Sequence, residues 1–284
     1  MINKILLAVL LGSTLLYSDL VRIMPFGDSI TYENHHTDDA GPARPEGVRS
    51  AYRNYLWYKL SDANFEANFV GSQRAGQDIH PAFDPDNEGH PAWTSYELAE
   101  SAYKWLTNAD PDIILLHAGS NDWDDSVSGI DDILDAVDVH EEKSGHTIKV
   151  FVALILDRVR HEEWIVSFNK NLRSLVNKRI ANGDNLVLVD MYQGAGIDYS
   201  NDMTDNTHPN DRGYEKMANV WYSALLGKEA PTKMYSDLPV QEVESLYAYP
   251  TTIVDESYII ESSVDELNRV VVVTTTVPAH GIIF

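Results

Sequence analysis

A chain of 284 residues with 44% hydrophobic and 23% charged side chains excludes disorder over its whole length and suits one large α/β domain with an appendage, or two small domains. Its 44 acidic against 21 basic residues leave a net charge of −23, which excludes nucleic acid as a partner, because phosphate binding needs Lys and Arg to displace counterions, and favours a neutral substrate. It has no cysteine, so disulfides, thiolate nucleophiles and cysteine-based metal sites are excluded.

Lys4 precedes an apolar run at 5–16, broken by Gly12, Ser13 and Thr14, and small Ser18 stands just before Asp19. The pattern predicts a secretory signal peptide over residues 1–18 and a secreted or periplasmic mature protein. The run falls short of the roughly 20 apolar residues of a spanning helix, so no membrane contact is expected after the signal is removed.

Five short, nearly continuous apolar runs follow, at 21–26, 65–70, 113–117, 148–156 and 186–189. Strands buried on both faces of a parallel sheet read this way. Helical spacing lies between them. Tyr52, Tyr55, Leu56 and Leu60 share one face, and Thr94 with Glu97 has the spacing of a capping box. Ile130, Ile133, Leu134 and Val137 mark a third helix, residues 164–180 a fourth, and Tyr214, Met217, Ala218, Trp221 and Leu225 a fifth. This alternation predicts a doubly wound αβα sandwich on a five-stranded parallel sheet over residues 19–228. Beyond it, residues 229–284 read as a linker and a β-rich C-terminal appendage, 270–277 being strongly β-forming.

Gly27-Asp28-Ser29 follows the first strand, where open α/β sheets place their sites. A serine hydroxyl needs a base to become a nucleophile, and Gly27 permits a tight turn. Alone, this tripeptide is equally a helix cap. Three more blocks follow in order: Gly71 after the second strand, Asn121 in Gly119-Ser120-Asn121-Asp122 after the third, and Asp205 with His208 before the last helix.

With these four blocks the chain resembles the SGNH/GDSL hydrolases. Ester cleavage on that plan needs a nucleophile, a base and donors for the oxyanion. Ser29 would attack, His208 would take and return the proton, and Asp205 would hold the imidazole. The oxyanion hole would comprise the Ser29 and Gly71 amides and the Asn121 side chain. No cofactor and no metal is expected. The segments Arg22-Ile23-Met24-Pro25-Phe26-Gly27-Asp28-Ser29, Ala51-Tyr52-Arg53, Asn68-Phe69-Val70-Gly71-Ser72, Glu88-Gly89-His90-Pro91-Ala92-Trp93 and His208-Pro209-Asn210 are similar to carbohydrate esterase family 3. That resemblance spans residues 21–226 and implies acetylxylan esterase activity. It departs from the family at Ala51 and Ala92, where glycine is usual, and at Asn206-Thr207, where Asp-Gly is common.

Other segments invite weaker readings. Residues 84–89 and 122–125 are acidic and read as solvated loops rather than metal sites, the first lacking the last ligand of a calcium loop. His35 and His36 with Asp38 and Asp39 could ligate a metal that the chemistry does not require. His90 and Trp93 are expected to border the cleft as substrate contacts, with Trp93 either stacking on a sugar or covering the core. His117 is expected to be a hydrogen-bonded core residue. The function read from all this is removal of O-acetyl groups from a polysaccharide, or from another small ester. The alternatives are a short-chain lipolytic esterase of the same fold and a non-catalytic carbohydrate-binding surface protein.

Overall fold

The computed structural model describes residues 20–34 and 42–237, and the backbone of two further strands at 258–264 and 270–276. The expected signal peptide and the His35-His36 pair with Asp38 and Asp39 lie outside the described residues.

The apolar runs become parallel strands. β1 (Val21–Gly27) pairs in parallel with β2 (Ala67–Phe69) and with β5 (Ile113–His117). β6 (Lys149–Ala153) follows on β5, and β7 (Leu186–Val189) on β6. The five parallel strands thus lie in the order β2-β1-β5-β6-β7. The chain leaves β1 toward one edge and returns on its other side, so a topological switch point lies between β1 and β5. Crevices that bind ligands form at such points, outside the carboxyl ends of the strands.

The central strands feed two cores, because successive side chains point to opposite faces. Ile23, Leu115 and Phe151 pack with α2 (Arg53–Asp62) and α7 (Asp211–Leu226). Met24, Phe26, Ile114, Leu116, Val150 and Val152 pack with α3 (Ser95–Ala109), α4 (Ser128–Ser144) and α5 (Glu163–Asn182). Thr94 and Glu97 form the capping box that opens α3. Two single turns complete the helices, α1 (Ser29–Tyr32) after β1 and α6 (Met191–Gly194) after β7.

Two short strands depart from the expected pattern. β3 (Gln73–Arg74) pairs antiparallel with β4 (Asp86–Gly89), and β4 runs parallel to the end of β1 through Phe26–Glu88 and Gly27–Gly89. The acidic stretch 84–89, read as a solvated loop, is therefore largely interior. Asp84, Asn87 and Glu88 are at most 1% exposed. Burial drives the Asp84 carboxyl up to about 7, and Glu88 takes both the amide and the hydroxyl of Ser72. Backbone pairing, which carries no apolar signature, built this edge.

A second departure lies after α7. Residues read as linker dock on the domain, with Tyr235 buried in the α2/α7 core. Below it Lys59 and Glu215 form an ion pair with both side chains fully buried, at 2.8 Å. Glu215 also accepts the amides of Tyr235 and Ser236, and Lys59 donates to the carbonyl of Lys233. A buried ion pair is tolerable only with such additional hydrogen bonds. Further on, β8 (Tyr258–Val264) and β9 (Val270–Thr276) form an antiparallel two-stranded sheet.

Candidate active site

Gly27 ends β1 against the neighbouring strand. A Cβ there would lie 2.0 Å from the carbonyl oxygen of His117, so only glycine lets the chain turn at this point. Asp28 caps α1, taking the amide of Ile30 at 2.9 Å and, across the switch point, the amide of Ser120 at 3.3 Å. Ser29 is the first residue of α1, so its backbone N–H is among those a helix leaves without an intrahelical acceptor.

The helix turn is clamped at its other end. Arg53 is fully buried and donates to the carbonyls of Thr31, Tyr32, Arg49, Ala75 and Pro85. Burial draws its guanidinium down to about 10. Glu33, next in the chain, receives two bonds from Arg44 and the amides of Ser50 and Ala51. Arg44 also pairs with Asp211 at the start of α7.

The loop before α7 brings the remaining groups to Ser29. His208 Nε2 lies 2.8 Å from Ser29 Oγ, and its Nδ1 lies 2.7 Å from Asp205 Oδ2. The other Asp205 oxygen accepts the amides of Thr207 and His208 at 2.6 and 2.7 Å. Asp205 is thus fixed by its own loop. With the carboxylate accepting from Nδ1–H, Nε2 is left as the acceptor for the serine hydroxyl. That relay can remove a proton from Oγ.

Gly71 and Asn121 follow β2 and β5 and stand at the same carboxyl edge of the sheet. Gly71 has φ of 157°, and a Cβ on it would lie 2.1 Å from the carbonyl oxygen of Asn87. Asn121 Nδ2 donates one hydrogen to the carbonyl of Trp93 at 2.9 Å, which orients the amide and leaves its second N–H free to serve another acceptor. A pocket of about 210 Å³ opens beside this relay, lined among others by Glu33, Arg44, Thr204, Asp205, His208 and Tyr214.

Of the two expected substrate contacts, His90 is turned inward and Trp93 is half-buried. His90 is a buried group, its Nε2 at 2.6 Å from Glu88 and its ring stacked on Trp105 at 4.2 Å. The Trp93 ring packs on His90 and against the core, and it is the Trp93 carbonyl that reaches Asn121. His117 is also buried, as expected of a core residue, and its ring reaches no other residue's hydrogen-bonding group. Asp122, read as part of a solvated loop, caps the start of α3 through the amide and hydroxyl of Ser95.

One residue not singled out in the sequence joins these loops. Arg158 follows β6 and donates to the carbonyl of Ser120 at 2.8 Å. Burial pulls its guanidinium below the ordinary value, against the pull of carboxylates that include Glu162, Asp28 and Asp205. Its neighbours Val159 and Arg160 donate their amides to Asn206, in the loop of His208. Strand ends are where sites form, so the end of β6 was the available signal.

Among the described residues, Asp110, His140 and His146 form the one group with metal-ligand proximity. Asp110 already accepts from both histidines and from Arg22. The group stands at the amino end of β5, away from Ser29.

The model of the GDSL-like lipase/acylhydrolase family matches residues 23–221. A multidomain esterase from Ruminococcus flavefaciens is 27% identical over 241 residues, 73% of this chain but 28% of that relative's length. A family 3 carbohydrate esterase from Clostridium thermocellum is 27% identical at a TM-score of 0.59, covering 73% of this chain and 96% of that one. One from Talaromyces cellulolyticus shares the fold at 24% identity, with a TM-score of 0.59 and coverage of 73% and 97%. With the family model covering most of the doubly wound domain and the Ser29 block at its switch point, the chain belongs to the GDSL-like lipase/acylhydrolase family.

Proposed function

We propose that this chain is an exported serine esterase that removes acetyl groups from a neutral polysaccharide, acetylated xylan above all. The observation that carries the proposal is the relay Ser29 Oγ–His208 Nε2–Asp205, at 2.8 and 2.7 Å, standing at the switch point. Ser29 attacks the acetyl carbonyl while His208 takes its proton. The tetrahedral oxyanion is received by the N–H groups of Ser29 and Gly71 and by the free hydrogen of Asn121. Collapse transfers the proton from His208 to the leaving sugar hydroxyl and leaves acetyl on Ser29. Water, activated by His208, then releases acetate. Asp205 stabilises the imidazolium in both halves without itself being protonated.

The likeness to a family 3 carbohydrate esterase over nearly all of that chain supports the sugar-linked substrate, and the net charge of −23 favours a neutral one. The test is acetate release from acetylated xylan by the purified chain, with p-nitrophenyl acetate alongside. Ser29→Ala should abolish both activities. Asn121→Ala should lower turnover by roughly 10²- to 10³-fold, as loss of one oxyanion donor does. Hydrolysis that survives in Ser29→Ala removes the serine mechanism. Ser29-dependent hydrolysis of the small ester alone removes xylan as the substrate.

A further inference from the structure

Trp123 stands two residues beyond Asn121 and breaks two habits of its residue type. It is 60% exposed, the most exposed large apolar side chain among the described residues. Its backbone also has φ of 59°, a left-handed conformation that is a genuine outlier for a bulky residue. Such strain persists only where the surroundings over-determine it, and it collects at functional sites.

The surroundings here are built. The guanidinium carbon of Arg158 lies 3.9 Å from the centroid of the Trp123 ring. Arg158 is itself 7% exposed and tied to the carbonyl of Ser120, whose amide is bonded to Asp28, the neighbour of Ser29. One face of the indole is thus backed by a fixed cation, and Trp164 lies beside it at 6.0 Å. Val159, next to Arg158, is also exposed, and its amide is bonded to the loop of His208. The ring sits on the rim that joins the Asn121 loop to the His208 loop.

We infer that Trp123, backed by Arg158, is a binding platform for one pyranose ring of the polysaccharide whose acetyl group reaches Ser29. The inference rests on the esterase reading above and names where its substrate binds. The C–H face of a sugar is weakly positive and apolar, and it complements the negative face of an indole. The exposed Asp124 and Asp125 that follow can accept hydrogen bonds from the hydroxyl edge. The same carboxylates disfavour an anionic polymer. An acyl chain would find one ring and one valine, not the broad apolar patch that marks a lipid-binding surface.

The test separates binding from catalysis. Acetylated xylo-oligosaccharides are titrated calorimetrically into Ser29→Ala, into Ser29→Ala with Trp123→Ala, and into Ser29→Ala with Trp123→Phe. The dissociation constant should rise about tenfold with alanine, the loss of one aromatic stacking contact, and be largely restored by phenylalanine. Equal affinities with and without the ring, or no binding in any of the three, overturn the platform. Acetate release by the wild-type chain is read separately. Trp123-dependent binding without acetate release keeps the platform and removes deacetylation of that oligosaccharide as the reaction at Ser29.

Discussion

Ala51 and Ala92 hold φ at 50° and 69°, in the region where a Cβ crowds the following carbonyl at a cost of about 1–2 kcal/mol. These are the two positions where the family 3 esterases usually carry glycine, so the departures seen in the sequence are points of local strain in the structure. Ala92 is the cleaner test, because it is exposed and its methyl fills no core space. It lies between His90 and Trp93, whose carbonyl orients Asn121. Ala92→Gly should stabilise the chain by roughly 0.5–1 kcal/mol after the greater unfolded freedom of glycine is subtracted. Urea denaturation measures this, and a loss of stability would show that the alanine is not strained. At this scale the sequence named Ser29, Asp205 and His208 because they occur in motifs. It did not name Arg158, whose importance comes from contacts with residues far away in the chain.

The elements were legible where apolar runs define them. α3 begins at its capping box, and each of the five parallel strands falls on one of the five mostly apolar runs. β3 and β4 were not legible, since Gln73, Arg74, Asp86 and Glu88 carry no apolar signal and pair through their backbones. β5 brings a further consequence through His117, which is wholly buried with no hydrogen bond to another residue. Burial holds its imidazole below the ordinary value. In the unfolded chain an imidazole titrates near about 6.5. Below that pH the unfolded chain binds a proton that the folded chain resists, so this residue makes stability fall as pH drops through about 6.5, and it contributes no pH dependence well above. His117→Leu should therefore show a smaller fall in Tm than wild type between about pH 7.5 and about pH 5.5. Equal falls would mean that His117 titrates normally.

For the whole molecule, the boundary of the domain is decided by the buried pair Lys59 and Glu215. Residues 233–236 supply three of the hydrogen bonds that satisfy it. A chain ending at Leu226 leaves these charges under-coordinated and removes Tyr235 from the core, whereas a chain ending at Asp237 keeps both. The shorter chain should lose on the order of 3 kcal/mol, or about 10 °C in Tm, relative to the longer one. Coincident melting curves would show that the segment is a linker after all. Tyr235 also bonds to Asp62 at the end of α2, a contact across most of the chain that composition alone presents as a polar, proline-containing spacer.

The sequence by itself determined the layered α/β class, the order of its main strands and helices, and the residue types of a serine relay. Each of these depends on short-range periodicity or on a local motif. Only the tertiary structure decided that His90 is turned inward, that Trp123 is left exposed on a rigid cation, and that residues 233–236 belong to the domain. Those outcomes depend on pairings between distant segments. No local preference encodes them, because the energy that selects them is released only when those segments meet.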